Sequence, residues 1–361
     1  MMFLVLTILV SVLSSARSHE LTCKDDNGNP VDWWIVYKFP TGVLPDGESG
    51  TRYAYITSND EDKSKFKLSP RDMNDEDNIF FNTVDLVYSN PKKFSSVFYN
   101  DQYAGKLETS RAHAKGVLGI GEKTAFWIIH SIPNFMPTLS EAKKGYEFPS
   151  SGRTNGQTAI CLTLDRSEVP KVTKQLLLEK VNIYDSKNVK DQNLIQLLHR
   201  KYIKGVSITR SDIKTKNGVK IAHFAKTPSR SQKVELDLFK QMASDLNVNL
   251  NVQSWKMGAG GNQASECKGI NVKNIEFMAI KMKDGDETSE WRYTQDHSKW
   301  AIGEAAEKNP QICIGDLNRM HSQHYRGGGM LCMPDPDVHK AFKNIITEVE
   351  PCRRKGKKVE K

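Results

Sequence analysis

The sequence predicts a mixed α/β chain, and three observations carry that prediction. Short runs rich in branched and aromatic residues, bounded by turn residues, recur in both halves. Segments with apolar residues at helical spacing lie between them. One combination of a His-x-Lys triplet, an apolar strand and an Asn occurs twice, as expected of a duplicated unit. The 361 residues suffice for one large domain or two ordinary ones, and 38% apolar with 26% charged residues predicts a packed core rather than disorder.

In chain order, residues 1–18 form an apolar run ending in small residues, with Ala16 and Ser18 suited to cleavage after Ser18. A run this short at the N-terminus reads as a secretory signal peptide. No later stretch reaches the roughly 18 apolar residues needed for a membrane span. "VDWWIVYKFP" (31–40) reads as a strand, and the polar, turn-rich residues 41–75 as loops. "AKGVLGI" and "TAFWIIHSIP" (114–133), broken by "GEK", read as a hairpin, and "TAICLTL" (158–164) as a further strand. Helices are expected over 170–181, 191–203 and 231–246, the last opening on Ser231 as N-cap. Strands resume at 249–255, 275–282, "SKWAI" and "QICIGDLN", and a helix over 336–349 closes the chain. The repeat divides the mature chain into an N-terminal half, 19–165, and a C-terminal half, 166–361.

Six cysteines, Cys23, Cys161, Cys267, Cys313, Cys332 and Cys352, stand behind the leader. An even count in that context favours disulfides, with about 15 pairings open. The absence of a C-x-x-C pair argues against structural zinc. The net charge of +9 and pI near 9.0 suit an anionic partner such as nucleic acid, polyanionic glycan or a membrane surface. A solvated basic surface explains the charge equally well, and the tail "CRRKGKKVEK" reads as a frayed end. No Asn-x-Ser/Thr sequon occurs.

His-x-Lys is itself a weak motif. Three copies occur, at His113, His199 and His297. Downstream context separates them. Asn134 lies 21 residues after His113, and Asn318 lies 21 residues after His297, each beyond an apolar strand. The same step from His199 reaches Lys220 with no such strand, and His199 falls in an amphipathic helix. In a strand, residues i and i+2 share a face, so His113 with Lys115, and His297 with Lys299, present imidazole beside ammonium. Lysine is a point charge suited to a phosphate oxygen, and an Asn amide can donate to another. Two facing half-sites would surround one phosphodiester, one imidazole attacking phosphorus and the other protonating the leaving oxygen.

Paired His-x-Lys…Asn half-sites resemble the phospholipase D superfamily. "HAKGVL", "FWIIHSIPNF", "GQTAICL", "DHSKW", "GDLNR" and "RGGGMLC", with "CKDDNGNPVDWWIVYK" near the start, resemble the deoxyribonuclease II family over essentially the whole mature chain. The resemblance implies a disulfide-bonded phospholipase D-like pseudodimer of two sheet-and-helix halves. It implies an endonuclease that needs no metal or other cofactor and cuts DNA to 3′-phosphate and 5′-hydroxyl ends, with His113, Lys115, Asn134, His297, Lys299 and Asn318 catalytic. It implies the pairs Cys23–Cys161, Cys267–Cys352 and Cys313–Cys332, and an acidic working range. DNA is the expected partner, held through phosphates; the motifs do not specify an oligomeric state. Where the superfamily's longer motif carries an Asp, this chain has Ile120 and Glu304, so the groups that orient the imidazoles are not given by the motif. Glu304 is a candidate for raising an imidazole pKa.

Lysosomal members of the family usually carry N-glycans, and its venom members are of the plancitoxin type. The missing sequons favour secretion over the lysosome. The competing readings are a non-catalytic basic protein that binds polyanions or cells, and a phosphodiesterase for another substrate. Only a nuclease or phosphodiesterase accounts for two complete His-x-Lys…Asn sets. Other residues read as ordinary: His321 and His324 as a loop pair rather than metal ligands, "GAGG" (258–261) as a plain loop. Arg326 beside "GGG" either approaches a phosphate or opens a tight hairpin, and His130 lines the cleft or caps a strand.

Overall fold

The computed structural model describes residues 20–44, 49–205, 207–258, 260–281, 288–305 and 309–352. The signal peptide expected over 1–18 and most of the basic tail lie outside them. Two large sheets dominate. The first contains β1 (Trp33–Lys38), β2 (Arg52–Thr57), β3 (Lys67–Asp72), β4 (Ser95–Asn100), β5 (Lys115–Ile120), β6 (Thr124–His130), β7 (Gln157–Asp165) and β8 (Ile183–Lys187), in the spatial order β8-β4-β5-β6-β7-β1-β2-β3. The second contains β9 (Ile208–Lys214), β10 (Lys220–Lys226), β11 (Leu250–Gln253), β12 (Val272–Lys281), β13 (Thr288–Arg292), β14 (Trp300–Gly303), β15 (Gln311–Gly315) and β16 (Gly328–Pro334), in the order β9-β10-β16-β15-β14-β11-β12-β13, and β17 (Ile346–Val349) also pairs with β12.

The strand that follows each histidine is flanked alike. β5 lies between β4 and β6, with β7 and β1 beyond β6, all antiparallel. β14 lies between β11 and β15, with β16 and β10 beyond β15, also all antiparallel. Helix α1 (Ile79–Ser89) precedes β4 and α4 (Leu238–Leu246) precedes β11; α2 (Val169–Glu179) follows β7 and α5 (Pro336–Asn344) follows β16. A short α3 (Gln192–Leu198) packs near α2.

Strand alternation explains the layers. From β1, Trp33, Ile35 and Tyr37 enter a core shared with Ile302, Ile312, Ile314 and Phe342 of the second half. Trp34 and Val36 point to the other face, where Phe80 and Val84 of α1 cover them. The outer face of the second sheet is covered by Leu238, Phe239 and Met242 of α4. The central strands are therefore buried on both faces and read as continuous apolar runs.

Several boundaries differ from the sequence reading. Residues 41–75 contain β2 and β3. β2 is set in a long polar, turn-rich stretch, which hides it; β3 is a polar edge strand, the one kind that accepts an internal proline such as Pro70. The 231–246 helix starts at Leu238, because Asp237 caps it by accepting from the Lys240 N–H at 3.1 Å. The last helix stops at Asn344, and the β-branched Ile346, Thr347 and Val349 join the sheet instead. β8 joins the first sheet although it lies beyond residue 165. Among the described residues no helix is long and apolar enough to cross a membrane.

Disulfides join Cys23 to Cys161, Cys267 to Cys352, and Cys313 to Cys332. The first closes a separation of 138 residues and fastens the chain start to β7. Closing so long a loop removes much denatured-state entropy, so Cys23→Ser with Cys161→Ser should lower unfolding free energy by roughly 2–5 kcal/mol. Denaturant melts of the two proteins measure this; coincident melts would refute it.

Candidate active site

The two histidines meet where the sheets face each other. Their ring centroids are 6.4 Å apart, tilted by 52°. Each precedes its strand, and each is held by backbone from the opposite half. The His113 N–H donates to the Gly327 carbonyl at 2.8 Å, ahead of β16. The His297 N–H donates to the Gly156 carbonyl at 2.8 Å, ahead of β7. The imidazoles follow the same rule. His113 Nδ1 lies 2.6 Å from the Asp316 carbonyl oxygen, just after β15. A carbonyl only accepts, so Nδ1 carries the hydrogen and Nε2 presents a lone pair. The Ser131 backbone, just after β6, raises the His297 imidazole against the larger lowering causes. The Asp316 carbonyl, in place of the motif Asp, orients the His113 ring.

Burial pushes both imidazoles well below the usual histidine range. The next causes are Lys115 for His113 and Lys299 for His297, with Asp101 opposing the shift of His113. Both rings are thus neutral at neutral pH in the free protein.

The lysines differ in their partners. Lys115 Nζ is ion-paired with Asp101, whose other oxygen takes Arg326 Nη2 at 3.0 Å. Burial alone would raise the Asp101 carboxyl, but Lys115, His113 and Arg326 together hold it well below the usual range. Lys299 is fully buried; its Nζ lies 2.8 Å from His297 Nδ1 and also donates to the His297 carbonyl. No carboxylate forms an ion pair with it among the described residues. Burial, and then the charge of Lys115, push its ammonium well down.

Asn134 and Asn318 sit in the turns after β6 and β15. Asn134 takes a left-handed backbone (φ 55°), tolerated by Asn, and donates its amide to Ser151 Oγ at 3.0 Å. The Oδ1 atoms of Asn134 and Asn318 are both buried without a partner. Among the described residues neither amide bonds His113, Lys115, His297 or Lys299.

The remaining candidates sort plainly. Arg326 is not free to meet a phosphate: besides Asp101 it donates to the carbonyls of Glu108, Arg111 and Ala112. Glu304 pairs with Lys273, away from both imidazoles. His130 is buried, accepts the Ile132 N–H on Nδ1 at 3.2 Å and is pushed down to about 3 by burial; it closes the end of β6. His199 caps α3 and is exposed. His321 and His324 share a short turn, and no set of three metal-ligating side chains occurs among the described residues.

Sequence reasoning missed Asp101, Asp296 and Asp316. Asp296 was within sight, adjacent to His297; its buried carboxylate accepts Trp291 Nε1 and the Ser298 N–H, both at 2.8 Å, and the Tyr37 hydroxyl. Asp101 and Asp316 reach the site only through folding, and no spacing marks them.

Comparison with known proteins gives one consistent answer. The family model described as Deoxyribonuclease II matches residues 22–352. Plancitoxin-1 of Acanthaster planci is 33% identical over 367 residues, covering 97% of each chain. Deoxyribonuclease-2-alpha of Sus scrofa is 33% identical over 364 residues, covering 97% of this chain and 96% of its own. Cell death-related nuclease 6 of Caenorhabditis elegans is 31% identical, covering 96% of this chain and 93% of its own.

Proposed function

This chain belongs to the deoxyribonuclease II family, and from that membership we propose that it is an endonuclease hydrolysing DNA at one site shared by two related halves. The single observation that carries the reading is the pair of buried imidazoles 6.4 Å apart, His297 in contact with Lys299 and His113 within the field of Lys115. The strand order repeated around β5 and β14 supports a pseudodimer of the phospholipase D type, with halves 19–165 and 166–361.

The chemistry proceeds in two displacements. A neutral imidazole attacks phosphorus through Nε2 while the other, protonated, gives its proton to O5′ as the P–O5′ bond breaks. The 5′-hydroxyl strand leaves, and the 3′-phosphoryl group stays bonded to histidine. The second imidazole, now neutral, takes a proton from water, whose oxygen attacks phosphorus as the P–N bond breaks. A 3′-phosphate is released and the starting protonation returns. Lys115 and Lys299 balance the phosphoryl charge, so no step requires a metal. Asn134 and Asn318 supply amide donors to the remaining oxygens.

DNA is held through its phosphates, so retention should fall steeply with salt and show little base preference. The three disulfides fit a compartment that keeps thiols oxidised, and we place the protein in secretion, with the lysosome as the alternative. Plasmid digestion in EDTA between about pH 4.5 and 7.5, the lower limit lying near the carboxylate range and the upper above that of imidazole, tests the proposal. Nicked and linear products with 3′-phosphate ends are expected; loss of cleavage on chelation, or 5′-phosphate ends, would overturn it.

A further inference from the structure

Behind the Gly327–Gly329 segment lies a buried acid–imidazole contact that the proposed chemistry does not use. Glu179, the last residue of α2, and His223, in the middle of β10, are 1% and 0% exposed. Glu179 Oε1 stands 3.0 Å from His223 Nε2 without the alignment of a hydrogen bond, and neither ring nitrogen of His223 has a hydrogen-bond partner. The Trp127 ring meets the imidazole edge-on at 5.0 Å. Burial pushes the Glu179 carboxyl well up and the His223 imidazole down to about 3, so the proton rests on the carboxyl and the contact is between neutral groups. A carboxylate is in any case disfavoured at a helix C-terminus.

Stability does not explain such a contact. An apolar pair of similar volume in a buried site is often as stable or more stable. Its position is informative. A Cβ on Gly329 would collide with Glu179 Oε1 and stand 2.6 Å from His223 Nε2; a Cβ on Gly327 would collide with the Glu179 carbonyl. The glycines therefore let this segment lie directly on Glu179 and His223. The same segment, together with Lys180 after α2, carries the parts that hold His113. The Gly327 carbonyl takes the His113 N–H, the Gly329 carbonyl takes the Asp316 N–H at 3.0 Å, and the Lys180 carbonyl takes the Ala112 N–H at 3.3 Å. The Asp316 carbonyl in turn holds the His113 ring.

We propose that Glu179 and His223 are positioning residues, a rigid backing that sets the Gly327–Gly329 segment and Asp316, and through them the aim of His113 Nε2. The inference rests on the nuclease reading above. Displacing a reacting nitrogen by about 1 Å costs up to roughly a hundredfold in rate. Glu179→Gln, and the apolar double variant Glu179→Leu/His223→Phe, should each lower kcat on a short duplex roughly ten- to a hundredfold, with KM within about twofold. The double variant should melt no lower than wild type. A purely structural role predicts the reverse for the double variant: restored packing and wild-type kcat. Wild-type kcat per folded molecule in either variant overturns the proposal. If neither variant folds, ring-nitrogen NMR of the wild-type protein decides. Hydrogen on His113 Nδ1 supports the arrangement, and hydrogen on Nε2 overturns it. Failure of the wild-type protein to cut DNA in EDTA would instead sink the nuclease reading.

Discussion

His113→Ala and His297→Ala are each expected to lower plasmid cleavage by about 10⁴-fold or more, while leaving retention of DNA at low salt within about threefold. In the proposed scheme each ring has a task the other cannot take over in the same step: one must lack a proton while the other carries one. Neither is a main source of phosphate attraction, because burial keeps both rings neutral in the free protein. The double variant should be no slower than the worse single one, since residues acting as a unit are not additive. Lys115→Ala and Lys299→Ala should weaken both cleavage and retention. Rates on supercoiled plasmid and filter retention of labelled duplex measure the two quantities. Near-native turnover in either His→Ala variant would rule out the two-imidazole scheme.

The second large effect is on pH. Burial and the adjacent lysines depress both imidazoles, so above the shifted range the free protein holds two neutral rings and no acid. The protonated fraction then grows as pH falls, and kcat/KM, which reports the free protein, should rise at least several-fold between about pH 7.5 and 5.5. It should fall again once both rings are charged. Lys299→Met removes the second cause of the His297 depression, so its alkaline limb should move to higher pH even as its maximum drops. A flat profile across this range, or a limb that moves the other way, contradicts the assignment.

The sign for stability is opposite. Histidines depressed in the folded state bind fewer protons than in the unfolded chain, so their contribution to stability is lost as pH falls below about 6.5. Asp101, held low by its cations, contributes above about pH 4 and is lost below it. Bound DNA phosphate eases protonation of the rings, so DNA should raise the melting temperature more at acid pH than at neutral pH.

What the sequence disclosed follows from the physics of each element. The strands β1, β6 and β7 are apolar on both faces and bounded by turn residues, and they were legible. The β3 edge strand is polar, and α1 begins on a buried Asn78 cap within a polar stretch; neither contrasts with its surroundings. The paired His-x-Lys triplets were legible because their spacing is a local property, although both histidines and Lys299 stand just ahead of their strands rather than on a strand face. Asp101 and Asp316 were not, because they come to His113 across the fold. Glu304 has a suggestive spacing, but its partner Lys273 lies on another strand, which no spacing reveals. The three glycines after Arg326 looked like hairpin residues; only Gly328 needs a positive φ (146°), and the other two are small because Glu179 lies against them.

The carbonyl that takes the His113 N–H belongs to Gly327, near the far end of the chain. A ribosome that has delivered His113 must add more than two hundred further residues before that carbonyl exists. A product ending before residue 297 lacks the second paired triplet as well as the carbonyl that holds His113. His297 is under the mirror constraint: its Gly156 support is made early and waits for it. His113 therefore depends for its backbone support on residues translated long after it.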